Sequence, residues 1–282
     1  ASTYMFTSFE MSADTGVLLG INRHNNSLCI VDLFDTKKNK NANLNLLGTS
    51  GAGKTFTMQT MALRMRRKGI QVFIIAPLKG HEFYRAARNV GGEFIQISPA
   101  SKNCINIMEI RKVDNSVNEL LDGPTLDASA LAGKIQRLHI FFSLLIPDMS
   151  HEEKQLLDEA LIKTYARKGI THKNESLTDP QHPEQYKKMP ILEDVYNVLL
   201  ESEDTKRLAH ILNRLVHGSA SSFNQQTNVD LTNKYTVLDI SELTGSSDLL
   251  TVGMFVALDY VWDKAKAVSY THLRAHETSA HL

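Results

Sequence analysis

One eight-residue run, Gly48-Thr49-Ser50-Gly51-Ala52-Gly53-Lys54-Thr55, constrains the fold of this chain more than any other feature. It fits the pattern G-x-x-x-x-G-K-[ST] at every fixed position, and that pattern requires a strand before it and a helix after it. Glycines at 48, 51 and 53 let the backbone close into a nest whose N–H groups converge on the α- and β-phosphates of a nucleotide. Lys54 is placed to reach the β- and γ-phosphates as a point charge, and the Thr55 hydroxyl to take one position on an octahedral Mg²⁺. The dipole of the following helix adds to the attraction for an anion. The expected nucleotide-binding set is therefore Gly48, Thr49, Ser50, Gly51, Ala52, Gly53, Lys54, Thr55 and Phe56, with Thr55 as the metal ligand. The alternative is a glycine-rich turn with no ligand.

The flanks supply the required context. Leu44, Leu46 and Leu47 alternate with Asn43 and Asn45 as a short, polar strand would. Phe56, Met61, Ala62 and Met65 recur at helical spacing, and Gly69 provides a C-terminal stop. Upstream, GVLLG (16–20) and LCIVDL (28–33) enclose the turn-rich stretch 22–27, a hairpin signal expected to cap the sheet near the nucleotide. The segment TKKNK (36–40) reads as a solvated turn or a phosphate-attracting patch. Downstream, QVFIIA (71–76), a loop and helix over 78–89, and GEFIQIS (92–98) continue a strand–helix–strand alternation, which predicts a parallel sheet.

From about Val113 to Thr232 the period changes. Helical segments are expected at 128–145, 150–168 and 191–216, joined by a polar connection at 171–190, so an all-helical insertion interrupts the core. Strand periodicity resumes at YTVLDI (235–240), and an amphipathic helix follows over about 248–264. The expected organisation is a first core part at 1–112, the insertion at 113–232, a second core part at 233–267 and a tail at 268–282. Val268–Leu282 continues no pattern, gathers His272, His276 and His281, and resembles a translated sequencing adapter. It is expected to be non-native.

Two features invite a catalytic reading that their surroundings weaken. Leu156-Leu157-Asp158-Glu159-Ala160 imitates the end of a Walker B strand, but its neighbours place the acids on the outer face of a helix capped by Ser150. Asp239 closes an apolar strand, yet Ile240 follows it, so no general base accompanies it and a structural role is expected. The basic cluster Arg64-Met65-Arg66-Arg67-Lys68 lies where the end of the P-loop helix favours cations.

Composition narrows the remaining choices. Lys plus Arg and Asp plus Glu both number 31 in 282 residues, so net charge gives no reason to expect strong DNA or anionic-membrane binding. Cys29 and Cys104 are isolated and read as free thiols in a reducing, cytoplasmic compartment. No run approaches the 18 or so apolar residues of a membrane span.

Taken with the P-loop, the stretches IIAPLKGHEF (74–83), Gly91-Gly92 and VLDIS (237–241) resemble the ATPase domain of conjugative type IV secretion ATPases, VirB/TraE-type proteins of the HerA/FtsK group. The resemblance covers nearly everything from Gly16 to Ala267, including Gly218–Leu231 with Phe223 and Thr227. It implies an α/β fold, a RecA-like P-loop NTPase core with an all-helical insertion. It also implies ATP and Mg²⁺ as cofactors, Lys54 as a catalytic residue and Glu82 as the acidic residue of the second-strand segment. Ala76 stands where the family often has Asp. The partners implied are further copies of the chain, often as a hexamer, and the secretion channel with its coupling proteins. The implied place is cytoplasmic and peripheral, at the inner face of the cell membrane. In the family the Walker B strand follows the helix ending here near 264–267, so this stretch is expected to bind ATP and hydrolyse it poorly. Two further readings stand beside this one, a DNA-pumping translocase and a nucleotide-gated assembly platform.

Overall fold

The computed structural model describes residues 16–111 and 129–279, apart from positions 24, 36, 38, 100 and 231, with side chains described up to Ala265. The expected start of the insertion at Val113 and the helix start at Ala128 lie outside these residues, as do Thr36 and Lys38 of the charged turn. The chain divides into two compact units. Among the described residues the first comprises the stretch up to Phe73 with Glu82–Glu93 and Asn233–Thr236, and the second comprises Ile74–His81, Phe94–Thr232 and the chain from Val237 onward.

In the first unit β1 (Val17–Ile21) and β2 (Leu28–Val31) pair antiparallel, with an irregularity between Leu18 and Gly20. Asn26 turns the chain with φ 54°, a value Asn tolerates better than most residues, and the Asn22 N–H closes the loop on the Ser27 carbonyl at 2.8 Å. The hairpin rests on α1 (Lys54–Arg67), where Arg64 donates to the Leu18 carbonyl and Lys68 to the Gly16 carbonyl. The basic cluster thus ties the helix end to the hairpin. Gly69 ends α1 in the left-handed region, at φ 86°, and the Ile70 N–H returns to Met65 O at 3.2 Å.

A three-stranded sheet has the order β3 (Val72–Ala76), β5 (Tyr235–Asp239), β4 (Glu93–Gln96), so the latest strand lies between the two earlier ones. The pairing is parallel: the Val72 N–H bonds Lys234 O at 2.9 Å, and four residues on, the Ile240 N–H bonds Ala76 O at 3.1 Å. All five β5 residues are buried, as a near-continuous apolar run in a central parallel strand requires. A 3₁₀ turn (Gly80–Phe83) and α2 (Tyr84–Asn89) connect β3 to β4.

The second unit carries α3 (Ala130–Leu145), α4 (His151–Arg167), α5 (Leu192–Leu199), α6 (Lys206–Val216) and α7 (Ser247–Ser279). Leu138, Phe141, Phe142, Leu157, Leu161, Leu192, Val195, Leu208 and Leu212 are all fully buried, at the i, i+3, i+4 spacing of helix faces turned to a core. Ser150 forms a capping box with Glu153, and of the acids in the Walker B look-alike Glu159 is exposed as expected while Asp158 is half-buried and pairs with His139 of α3 at 2.9 Å. An ion cluster is built into this core. Asp259 accepts from Arg137 at 3.0 Å, Lys134 at 3.3 Å and Arg111 at 3.5 Å, while Asp263 accepts from Arg137 at 2.7 Å and Arg111 at 2.9 Å. The Arg111 guanidinium also lies 4.3 Å from the Tyr260 ring centroid.

Three expectations need correction. Residues 43–47 form no strand: the Asn43 N–H bonds its neighbour's side chain, Asn41 Oδ1, at 3.1 Å, and no described residue pairs with Leu44–Leu47. Alternating asparagines leave that segment with one polar side, and local side-chain bonds of this kind compete with a ladder. The expected helix 191–216 is two helices. Thr205 donates its hydroxyl to the Leu199 carbonyl and to Ser202 O at 3.2 Å, and a 3₁₀ turn at Glu203–Thr205 breaks the run. Finally, α7 does not stop near 264 but continues to Ser279, through residues that include no Gly or Pro and several strong helix formers.

Candidate functional site

The P-loop lies wholly in the first unit. Gly51 and Gly53 have φ of 78° and 85°, the left-handed region where a Cβ is strained, so the loop's curvature depends on glycine at both positions. A Cβ at either would meet nothing within 4 Å, which makes the requirement one of backbone conformation alone. Gly48 differs. A Cβ there would lie 3.3 Å from the Ala52 Cβ and 3.6 Å from Cγ of Lys54, so its small size lets the lysine stem cross the loop.

Lys54 is the first residue of α1, and its ammonium donates to the carbonyls of Gly48 at 2.7 Å and Thr49 at 2.6 Å. Both acceptors belong to the loop, so the charge is held above it, and no carboxylate among the described residues pairs with it. Gly53 occupies the N-cap position without a side chain to cap the helix, and the first turn contains no acid. The leading N–H groups of α1 therefore have no side-chain acceptor, which suits an anion at this helix end. Thr55 sits half-buried in that first turn, and Thr49, Ser50, Ala52 and Phe56 are exposed, Phe56 at 74%. Phe56 thus faces outward rather than into the α1 core contact expected from its spacing. The donor set fits Mg²⁺ and a nucleotide triphosphate: a nest of N–H groups, one cation and one free hydroxyl.

Glu82 lies in the 3₁₀ turn, and its backbone carbonyl accepts from the Gln59 side chain of α1 at 3.1 Å. Gln59, which the sequence did not single out, fixes the Glu82 backbone relative to the P-loop helix. A polar side chain on the inner face of that helix, five residues beyond Lys54, is the signal that marks it.

In the second unit Asp239 is buried, with Oδ1 accepting the Ser241 N–H at 3.0 Å. A Cβ on Gly80 would run into this carboxylate. Glycine in the LKG turn therefore serves close packing against Asp239, as the structural reading of that residue implies. Cys104 is buried and Cys29 half-buried; both are free, and burial raises the Cys104 thiol to about 11. Among the described residues no group of three or more His, Cys, Asp or Glu side chains could hold a metal, and no helix is long and apolar enough to cross a membrane.

The architecture is similar to a solved structure of VirB4 from Thermoanaerobacter pseudethanolicus, with a TM-score of 0.75 and 27% identity over 91% of this chain and 65% of that one. No protein-family model and no curated protein matches the chain. The likeness supports a mixed α/β fold like that of VirB4, and the chain spans 65% of the length of the VirB4 it matches.

Proposed function

We propose that the chain is an ATP-binding motor subunit that energises conjugative type IV secretion or DNA transfer, within the HerA/FtsK group. The observation that carries this reading is the P-loop geometry, left-handed Gly51 and Gly53 with Lys54 held over the loop, in a chain whose architecture resembles VirB4. The proposed organisation is a RecA-like core at 1–112 and 233–267 around a helical insertion at 113–232, with 268–282 outside it.

Bound Mg²⁺–ATP supplies the γ-phosphoryl group and the divalent charge. The chain's own residues bind and orient. The amides of Gly51, Gly53 and Lys54 would hold the phosphates, the Lys54 ammonium, now on the Gly48 and Thr49 carbonyls, would supply positive charge to them, and the Thr55 hydroxyl would help hold the cation. Gln59 positions Glu82, which we assign as the acidic residue of the site. The subunit acts as an oligomer at the inner face of the cell membrane, beside the channel and its coupling proteins. The test is conjugative transfer from donor cells carrying Lys54→Ala. Transfer should fall to background with normal protein levels, and transfer at the wild-type rate would overturn the proposal.

A further inference from the structure

A cavity of about 420 Å³ opens in the unit that does not hold the P-loop and takes no part in the P-loop reading. Its wall includes Arg111, Lys187, Lys188 and Lys264 as cations, Glu109 and Asp263 as acids, and the rings of Tyr186 and Tyr260. The volume falls in the range of small-ligand sites. What decides its character is which of these charges are already committed.

Both acids are. Glu109 accepts from the Thr227 hydroxyl at 2.6 Å and from Arg111 Nε at 3.3 Å, and Asp263 accepts from Arg111 and Arg137. Lys187 is committed as well, donating to the Gly169 carbonyl at 2.8 Å. Two ammonium groups are left. Lys188 is exposed and has no acceptor among the described residues, while Lys264 is drawn only toward Asp230, whose two oxygens are taken by the N–H and hydroxyl of Thr232 at 2.9 and 2.6 Å. The cavity wall is therefore positive, with its own carboxylates paired to arginine. An ammonium pair in which Lys188 has no acid partner among the described residues and Lys264 faces only Asp230, already hydrogen-bonded to Thr232, suits a compact multivalent anion better than a carboxylate or a cation when it lies beside an aromatic ring.

We infer that this cavity binds a phosphate group carried by a nucleotide, with Lys188 and Lys264 as its ligands and Tyr186 at its rim. The phosphate comes either from a free mononucleotide or from the backbone of a single DNA strand. Lys54→Ala serves as the background, so that binding at the P-loop does not contribute and failure of the nucleotide-motor reading leaves this test intact. Thymidine 5′-monophosphate is titrated by calorimetry and a fluorescein-labelled oligothymidylate by anisotropy, each against Lys188→Ala/Lys264→Ala and the charge-preserving Lys188→Arg/Lys264→Arg.

The expected result is binding that the alanine pair weakens at least about tenfold and the arginine pair retains, with thermal unfolding little changed because Lys188 is exposed and Lys264 only half-buried. Monophosphate binding identifies the free nucleotide as a sufficient source. Oligothymidylate binding without it identifies the strand, and the log–log salt slope should then fall by about 1.4 in the alanine pair, at ~0.7 for each phosphate no longer neutralised by a lysine. Absence of binding by both probes, or affinity equal in the alanine pair and its parent, would overturn the inference.

Discussion

Replacing Lys134 with methionine should remove a pH-dependence of stability that the buried ion cluster imposes. Lys134 is 2% exposed, and burial lowers its ammonium from 10.5 to about 8, against the pull of Asp259. The folded state thus binds this proton less tightly than the unfolded chain does. Between pH 8 and 10.5 the unfolded state carries more of the proton, so this group makes stability rise with pH across that window. At ~1.36 kcal/mol per pH unit the full drop corresponds to about 3 kcal/mol. The Cys104 thiol, raised from 9.0 to about 11, and the raised Tyr165 hydroxyl act in the opposite direction, because both lose their protons more readily in the unfolded chain. Those two effects are common to the wild type and to Lys134→Met and cancel in the difference. Asp259 keeps Arg137 and Arg111 as partners in the variant. Although burial alone would raise its carboxyl, Lys134, Arg137 and Arg111 together hold it below its ordinary value in the wild type. Urea unfolding at pH 7.5, 8.5, 9.5 and 10.5 provides the assay. The stability difference, variant minus wild type, should be positive at pH 7.5 and shrink by about 2–3 kcal/mol by pH 10.5. A difference that is flat across this range would refute the argument that Lys134 is folded in at the expense of its proton.

Three other substitutions test separate parts of the account. Gly53→Ala places a Cβ at φ 85° with no steric neighbour, so it should cost about 1–2 kcal/mol by thermal unfolding and lower nucleotide affinity through backbone distortion alone. Gly80→Ala should destabilise by about 1–3 kcal/mol, and Asp239→Ala in the same chain should recover part of that loss, because the collision is with that carboxylate. Additive costs in the double variant would contradict the packing argument. Ser150→Ala removes half of a capping box and should cost about 1 kcal/mol by urea unfolding, with no effect on nucleotide binding.

Much of the fold was legible because its signals are local. The hairpin followed from the turn residues 22–27, the stop at Gly69 from its conformational freedom, and the strand at 235–239 from its mostly apolar pattern, whereas its central place in the sheet did not. The break near Thr205 left a sign that the reading of one long helix passed over, since Glu201–Arg207 contains no apolar residue and the period stops there; the side-chain bond back to Leu199 then closes the turn. The ion cluster was hidden for another reason. Its members lie in three distant stretches, and the local sign was the placing of Lys134 and Arg137 on the same apolar face as Leu131, Ile135 and Leu138. At the site, Gly51 and Gly53 take left-handed conformations and Lys54 opens the helix, whereas the strand the motif requires before it is not formed, because the alternating asparagines leave 43–47 with one polar side. The Gln59 bond to Glu82 joins residues 23 positions apart, and no periodicity encodes it.

The most direct measurement is Mg²⁺-dependent binding of ATP to the chain by calorimetry, with Lys54→Ala as the comparison. The account predicts saturable binding that requires Mg²⁺ and disappears in Lys54→Ala, while the variant keeps the wild-type circular dichroism spectrum. ATP binding of equal affinity in the folded variant, or no ATP binding by the folded wild type, would contradict it.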